Sequence, residues 1–223
     1  MDRSVCKRTV MTIPYNATKD SSRKYIREAL LEKKIDPTKD ELTQIVNAVY
    51  QSMDSIVPGP MQVMRWIKKH VGLYIRNGAK EVQWVTPSGF IVNQRRDDIE
   101  TMRMELQLLG RTQIRLPTGK FTPSPTKHKS STAPNYIHSF DASILHRSFT
   151  QFDEPFTVIH DSVLCRAGDM GTLNRLVRET YTNIFSEKCW LSEFAETINA
   201  SEPPPIVGTL DPKVVSNSTY FFC

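Results

Sequence analysis

The sequence predicts an α+β protein that is mostly helical and carries small antiparallel β-hairpins. Apolar residues recur at helical spacing through the first 80 residues, as in Leu42, Val46 and Val49. The period then changes, because the β-rich runs 82–85 and 90–92 flank a turn-forming Thr-Pro-Ser-Gly segment. These two patterns favour a helical first part followed by paired strands.

The first part is expected to hold four helices. A threonine that suits the cap position precedes the second, and Pro37-Thr38 opens the third. Pro58-Gly59-Pro60 is expected to separate the third helix from the fourth. The predicted spans are residues 2–15, 19–34, 38–50 and 61–77.

The second part is expected to alternate strands and helices. Residues 99–116 predict extended strands around Gly110, and residues 117–134, rich in Pro, Ser and Thr, predict a mobile loop. Further on, Asp169 is expected to cap an amphipathic helix. The other predicted elements are a helix over 135–149, a short buried strand over 156–159, a strand over 163–165 and a helix near 190–199.

Composition excludes several classes of protein. The 223 residues include 29 Lys and Arg against 24 Asp and Glu, so the net charge of +5 permits nucleic acid but equally fits an ordinary soluble enzyme. The four cysteines form no Cys-x-x-Cys pair, which argues against structural zinc and against a disulfide scaffold. No run approaches the roughly 18 apolar residues that span a bilayer, so no membrane partner is expected.

Two constellations could carry chemistry. On a helix, Arg3, Lys7, Met11 and Tyr15 would follow one drifting edge, where two cations and a phenol suit a nucleoside triphosphate. The alternative is a solvated basic turn with a core tyrosine. Asp161 stands between two short β runs, where a carboxylate suits Mg²⁺. The alternative there is ordinary turn chemistry.

Taken together and in this order, the two constellations resemble motifs B and C of the phage-type single-subunit DNA-directed RNA polymerases. Residues 3–15 resemble motif B, the fingers helix that binds the incoming nucleotide, and Val158 to Ser162 resemble motif C, the palm hairpin. Residues 83–90, 133–141 and 218–223 also resemble family segments. Met-Thr-Ile-Pro-Tyr15-Asn16 is most similar to the polymerases of mitochondrial linear plasmids.

The resemblance implies part of a right-hand polymerase fold. Residues 1–80 would be fingers helices with motif B. Residues 81–134 would hold a hairpin like the family's specificity loop and a mobile loop. Residues 135–223 would be the palm portion with motif C and the carboxyl-terminal foot, Phe222-Cys223.

The resemblance also implies roles for individual residues. Lys7, Tyr15 and Asp161 would be catalytic, Arg3 and Lys7 would hold the triphosphate, and Tyr15 would help to distinguish ribose from deoxyribose. Asp161 would bind Mg²⁺ as one of two metal-binding aspartates, with His160 its motif neighbour. The residues expected near nucleic acid are His138 and, in the promoter-reading hairpin over 93–116, Arg95, Arg96, Arg103, Arg111 and Arg115.

The sequence departs from the family pattern at two points, the turn after motif B and the second metal-binding aspartate. Motif B usually continues Tyr-Gly, whereas this chain has Tyr15-Asn16, and asparagine tolerates unusual backbone angles. The second aspartate, in the family's motif A, lies upstream of motif B, and two-metal transfer needs two carboxylates. Asp141 and Asp97-Asp98 lack the expected context.

The sequence is therefore expected to be a carboxyl-terminal fragment that needs the missing amino-terminal portion. Its expected partners are a DNA template, the RNA product and ribonucleoside triphosphates, in a mitochondrion or alternatively in the cytoplasm of a phage-infected cell. Two other readings remain: an inactive, truncated nucleic-acid-binding remnant, and a member of the related family A DNA polymerases. Met11 argues against the latter, which usually carry an aromatic residue there.

Overall fold

Four helices form the first part of the chain, as predicted. The structure is a computed structural model that describes residues 2–106, 112–160, 162–206 and 208–221. The helices are α1 (Arg3–Thr12), α2 (Lys19–Glu32), α3 (Lys39–Ile56) and α4 (Pro58–Arg76). The fourth begins at Pro58 rather than at residue 61, because a proline is well accommodated in the first turn of a helix.

Side-chain caps fix the starts of α2 and α3. Thr18 accepts a hydrogen bond from the amide of Ser21, which confirms the cap expected there. Thr38 and Glu41 form a reciprocal capping box, in which each side chain accepts from the other's backbone amide. Both starts are thus set by local sequence.

Three antiparallel hairpins follow within the described residues. Strands β1 (Val82–Val85) and β2 (Ile91–Gln94) form the first, with Trp84 opposite Val92. Strands β3 (Asp97–Leu106) and β4 (Thr112–Pro123) form the second and longest. Strands β5 (Phe156–Ile159) and β6 (Ser162–Cys165) form the third, the motif C hairpin. The hairpins predicted around residues 86–89 and 160–161 are confirmed.

The mobile loop predicted over residues 117–134 is wrong. Residues 117–123 belong to β4, and residues 125–134 form the first ten residues of α5 (Pro125–Phe149). Ser124 caps this helix by accepting from the amide of Lys127, and Pro125 occupies its first position. The four prolines of this segment lie within regular structure: Pro117 inside β4, Pro123 at its end, Pro125 at the start of α5 and Pro134 inside that helix.

Two smaller expectations are also corrected. Strand β5 is exposed at all four positions rather than buried, with Ile159 60% exposed. Asp169 makes no capping bond to α6 (Met170–Glu187); it ends a 3₁₀ turn, Ala167–Asp169, where its carboxylate accepts from Arg166 Nε at 2.7 Å. Helix α7 (Trp190–Thr197) confirms the helix expected there, and a second 3₁₀ segment covers Pro212–Asn217.

Among the described residues, the helices, the β1–β2 hairpin and strand β6 contribute to three apolar clusters. The first helices enclose one cluster around Ile26 and Val46. A larger aromatic cluster joins α4, β1, α5, α6 and α7, and Phe194 at its centre is 2% exposed. A third lies beneath α6. In the part of the chain that the structure describes, no helix has the length and apolarity to cross a membrane.

Candidate nucleotide and nucleic-acid site

Helix α1 turns one side to the core and the other to solvent. Val5 and Thr9 are buried, whereas Arg3, Lys7 and Met11 are exposed. No described carboxylate forms an ion pair with Arg3 or Lys7. Two cations one helical turn apart are therefore free to meet an anionic ligand.

Arg8, next in the sequence to Lys7, behaves differently. Its guanidinium donates to Glu28 at 2.9 Å and lies 4.0 Å from the centre of the Tyr25 ring. These contacts hold Arg8 against α2. Lys7 is thus available to bind a ligand, whereas Arg8 is held by its contacts with α2.

Tyr15 lies in the turn that follows α1, not on the helix itself, which ends at Thr12. Its side chain is 47% exposed, so the alternative of a core tyrosine is excluded. Its ring centre lies 4.8 Å from that of His138 on α5, with 32° between the ring planes. The fold thus brings together two residues predicted for the site from distant parts of the sequence.

Asn16 holds this turn in a left-handed conformation. Its φ of +68° is one that asparagine adopts more readily than other non-glycine residues, as the departure from Tyr-Gly led us to expect. Its side-chain amide donates to the carbonyl of Ser130 on α5 at 2.9 Å. The turn after α1 is thereby attached to α5.

The two family-like segments at 83–90 and 133–141 pack against each other. The indole of Trp84 donates to Ser139 Oγ at 3.0 Å. The amide of Asn135 donates to Gln94 Oε1 at 2.7 Å. Hairpin β1–β2 is therefore fixed to the helix that carries His138.

An open groove of about 500 Å³ lies where this hairpin meets α5, and its lining residues include Gln94, Arg95, Arg96, Asn135 and His138. Arg95 pairs with Asp97 at 2.8 Å, and the backbone amide of Arg96 donates to His128 Nε2 at 3.2 Å. Burial lowers the pKa of His128, which keeps it neutral and able to accept this bond. Sequence reasoning did not identify this groove as a unit.

Asp161, the predicted metal ligand, lies outside the described residues. The residues around it are described: Ile159 pairs with Ser162, and His160 has a φ of +57°. Among the described residues, no group of three His, Cys, Asp or Glu side chains could hold a metal ion. Strands β5 and β6 therefore flank the position of the predicted metal ligand.

The long β3–β4 hairpin places two of the predicted arginines directly opposite each other. Arg103 pairs in register with Arg115, both are exposed, and no described carboxylate forms an ion pair with either. Like charges directly opposite on adjacent strands repel, and an anion between them would relieve that repulsion. Arg111 lies outside the described residues.

The carboxyl-terminal segment packs on α6. Arg178 donates to the carbonyls of Val215 and Ser218, both at 2.6 Å. The ring of Phe221 lies 5.0 Å from that of Tyr181. Phe222 and Cys223, predicted to reach the active site, lie outside the described residues.

Comparison with known proteins places these features in a family. The profile of the DNA-dependent RNA polymerase family matches residues 1–203. The chain is 25% identical to a DNA-directed RNA polymerase of Pseudomonas phage phiKMV, over 100% of this chain and 28% of that protein. It is 27% identical to the human mitochondrial DNA-directed RNA polymerase, over 99% of this chain and 20% of that protein. It is 28% identical to T7 RNA polymerase of Escherichia phage T7, over 99% of this chain and 29% of that protein.

The chain therefore spans less than a third of the length of these relatives. The relatives agree with the resemblance drawn from motifs B and C and argue against the reading as a family A DNA polymerase. The α+β architecture of helices and small antiparallel hairpins is the one expected for this part of the fold. This chain belongs to the phage-type, single-subunit family of DNA-dependent RNA polymerases.

Proposed function

We propose that this chain carries the nucleotide-binding helix and a catalytic metal ligand of an enzyme that synthesises RNA on a DNA template. The exposed face of α1 carries this proposal. Arg3 and Lys7 have no described carboxylate partner, and Tyr15, just beyond, contacts His138. Cations, a phenol and an imidazole along one surface suit a triphosphate, its sugar and a neighbouring base pair.

The proposed reaction is attack of an RNA 3′-hydroxyl on the α-phosphorus of a ribonucleoside triphosphate. A new oxygen–phosphorus bond forms while the bond to the bridging oxygen of the β-phosphate breaks, and pyrophosphate leaves. Lys7 and Arg3 would neutralise the negative charge that develops on the leaving group. Tyr15 would lie beside the sugar and favour ribose.

Asp161 is proposed to bind Mg²⁺. This ion is usually held by one or two carboxylates together with phosphates and water, so a single carboxylate at a hairpin tip fits one part of such a site. When bound, Mg²⁺ would offset the charge of the triphosphate. The second carboxylate of a two-metal site is proposed to come from an amino-terminal polymerase portion.

Nucleic acid is proposed to lie along two surfaces. His138 would meet the template–product duplex near Tyr15. Arg103, Arg111 and Arg115 would contact the phosphates or bases of promoter DNA along the β3–β4 hairpin. The cross-strand pair formed by Arg103 and Arg115 supports this assignment, because a polyanion would relieve its repulsion.

The proposed place of action is the mitochondrion, with a phage-infected cell as the alternative. Relatives from phages and mitochondria support both. The likeness of residues 11–16 to linear-plasmid polymerases favours the mitochondrion.

The test is primer extension on a template–primer duplex with Mg²⁺ and ribonucleotides. The purified chain is assayed alone and after mixing with a family amino-terminal fragment that ends just before motif B. Synthesis only in the mixture is expected. Synthesis by the chain alone would refute the need for a second carboxylate, and none in either case would favour an inactive nucleic-acid-binding remnant.

Matched variants test the assigned roles in the active mixture. Asp161→Asn is expected to abolish synthesis while DNA binding persists, whereas Asp153→Asn, an exposed carboxylate, is expected to leave synthesis unchanged. Loss of binding with synthesis retained would remove Asp161 from the metal site.

A second pair of variants separates the neighbouring cations. Lys7→Gln is expected to raise the KM for nucleotide, and Arg8→Gln, which breaks only the contact with α2, is expected not to. Equal effects of the two substitutions would contradict the assignment of Lys7 to the triphosphate.

A further inference from the structure

The interior proline of α5 leaves one backbone carbonyl without its helical partner. In an α-helix each carbonyl accepts from the amide four residues later, and proline has no amide hydrogen. Pro134 therefore cannot donate to Ser130. The side chain of Asn16 takes that place, because its amide donates to the Ser130 carbonyl at 2.9 Å.

The turn that carries Asn16 is tightly closed by backbone hydrogen bonds. The amide of Asn16 donates to the carbonyl of Ile13 at 2.8 Å, and the amide of Ala17 donates to Thr12 at 3.0 Å. These bonds join Tyr15 and Asn16 within one closed backbone turn, so a side-chain bond that anchors Asn16 to α5 also restrains Tyr15 beside it.

Ser130, Pro134 and His138 follow one another at intervals of four residues, so they lie along one face of α5. Asn16 binds at one end of this face and the Tyr15 ring contacts His138 at the other. The consecutive residues Tyr15 and Asn16 thus contact α5 at two points.

We propose that Asn16 is a positioning residue, which fixes the Tyr15 ring against His138 by binding the carbonyl that Pro134 leaves free. This inference rests on the proposed function, in which Tyr15 selects the ribonucleotide. Asn16 acts through Tyr15 and touches no substrate itself. This positioning depends both on the Asn16 amide and on the absence of an amide hydrogen at Pro134, so the effects of substituting the two residues should be coupled.

The first test is independent of catalysis. The imidazole proton resonances of His138 are recorded by NMR on the 223-residue chain, because the nearby Tyr15 ring shifts them. Asn16→Ala and Pro134→Ala are each expected to move these resonances in the direction that Tyr15→Leu moves them. Asn199→Ala is the matched control, since Asn199 is also left-handed, at φ +50°, but lies at the end of α7. Unchanged His138 resonances in Asn16→Ala would overturn the proposal.

The second test uses the active mixture described above. Asn16→Ala is expected to lower the preference for ribonucleotide over deoxyribonucleotide, measured as a ratio of kcat/KM, by about fivefold, as for loss of one hydrogen bond. Pro134→Ala restores an amide donor to Ser130, so the double variant is expected to be no worse than the worse single variant. Additive effects, or an unchanged preference in Asn16→Ala, would overturn the role in selection.

Asn16→Gly separates the bond from the backbone conformation. Glycine adopts the left-handed turn without steric strain but has no side chain that could donate to Ser130. It is expected to move the His138 resonances and lower the preference as alanine does, and wild-type behaviour would overturn the proposal. Failure of the proposed function would show as absent synthesis in the wild-type mixture, whereas the resonances report on the positioning of Tyr15 alone.

Discussion

Tyr136→Phe tests how α5, which carries His138, is held to α7. The side chain of Tyr136 is 4% exposed, and its hydroxyl donates to the carbonyl of Trp190 at 3.0 Å. Trp190 begins α7, so its carbonyl also has an amide partner within the helix. Removing the hydroxyl should therefore cost only the net value of one hydrogen bond, about 1 kcal/mol at pH 7.

At high pH the order is expected to reverse, so that Tyr136→Phe has the larger free energy of unfolding. Burial raises the pKa of Tyr136 far above its usual value, and Cys189 and Glu193 add to the effect. A group whose pKa is higher in the folded than in the unfolded state contributes its full stability below the unfolded-state pKa, which for tyrosine is about 10. This contribution is lost as the pH rises above that value. Above this pH the free energy of unfolding of the wild type falls by about 1.4 kcal/mol per pH unit, whereas Tyr136→Phe has no ionisable group at this position. The free energies of unfolding of the two chains should therefore be equal at about pH 10.6.

The assay is urea unfolding followed by tryptophan fluorescence at pH 7, 9, 10 and 11 for both chains. Ionisation of other groups affects both equally and cancels in the difference. A constant difference of about 1 kcal/mol at every pH would refute the buried, protonated state of Tyr136. No difference at pH 7 would refute the contribution of its hydrogen bond.

Three further predictions concern stability and association. Lys34, just after α2, has a φ of +61°, a left-handed conformation that is strained for lysine, so Lys34→Gly should raise the free energy of unfolding by up to about 1 kcal/mol. Urea denaturation measures this change, and a lower free energy of unfolding would contradict the strain at Lys34. Hydrogen bonds from Thr38 lower the pKa of Glu41, so its contribution should be present above the unfolded pKa and fade as the pH falls through the folded one; Glu41→Gln should flatten this part of a stability profile below pH 5, and a parallel profile would count against it. The motif C hairpin exposes Leu164, so the chain should self-associate and Leu164→Lys should reduce this in sedimentation velocity; a monomeric wild type would oppose the prediction.

Local patterns predicted most of the elements because their causes are local. Helical spacing, the Thr18 cap and the Thr38–Glu41 capping box specify the early helices without reference to the rest of the chain. The hairpin around residues 86–89 follows in the same way from its turn residues. Such elements depend on residues within a few positions of one another.

The failures arose where the cause is distant. Pro134 is tolerated inside α5 because Asn16, far away in the sequence, binds the carbonyl it leaves free. The apolar composition of β5 predicted burial, but composition does not reveal whether another element covers a strand. The local signal that could have identified the start of α5 is Ser124-Pro125, a cap residue followed by a proline in the first helical position.

The candidate site was predicted by motif and not by geometry. The motifs named Tyr15 and His138, yet their contact depends on how α1 packs beside α5. Lys7 and Arg8 are equivalent by composition, and only the position of Glu28 and Tyr25 separates them. Asp161, Arg111 and the carboxyl-terminal residues stay predictions from the resemblance.

The β3–β4 hairpin has two chemically different sides, with a practical consequence for the design of substitutions in it. Because side chains alternate along a strand, Arg103 and Arg115 share one side while Met102, Met104 and Leu116 share the other. Substitutions at the arginines alter only the charged side, and substitutions at the methionines only the apolar one. The charged side and the apolar side of this hairpin can thus be varied independently, at positions one residue apart along each strand.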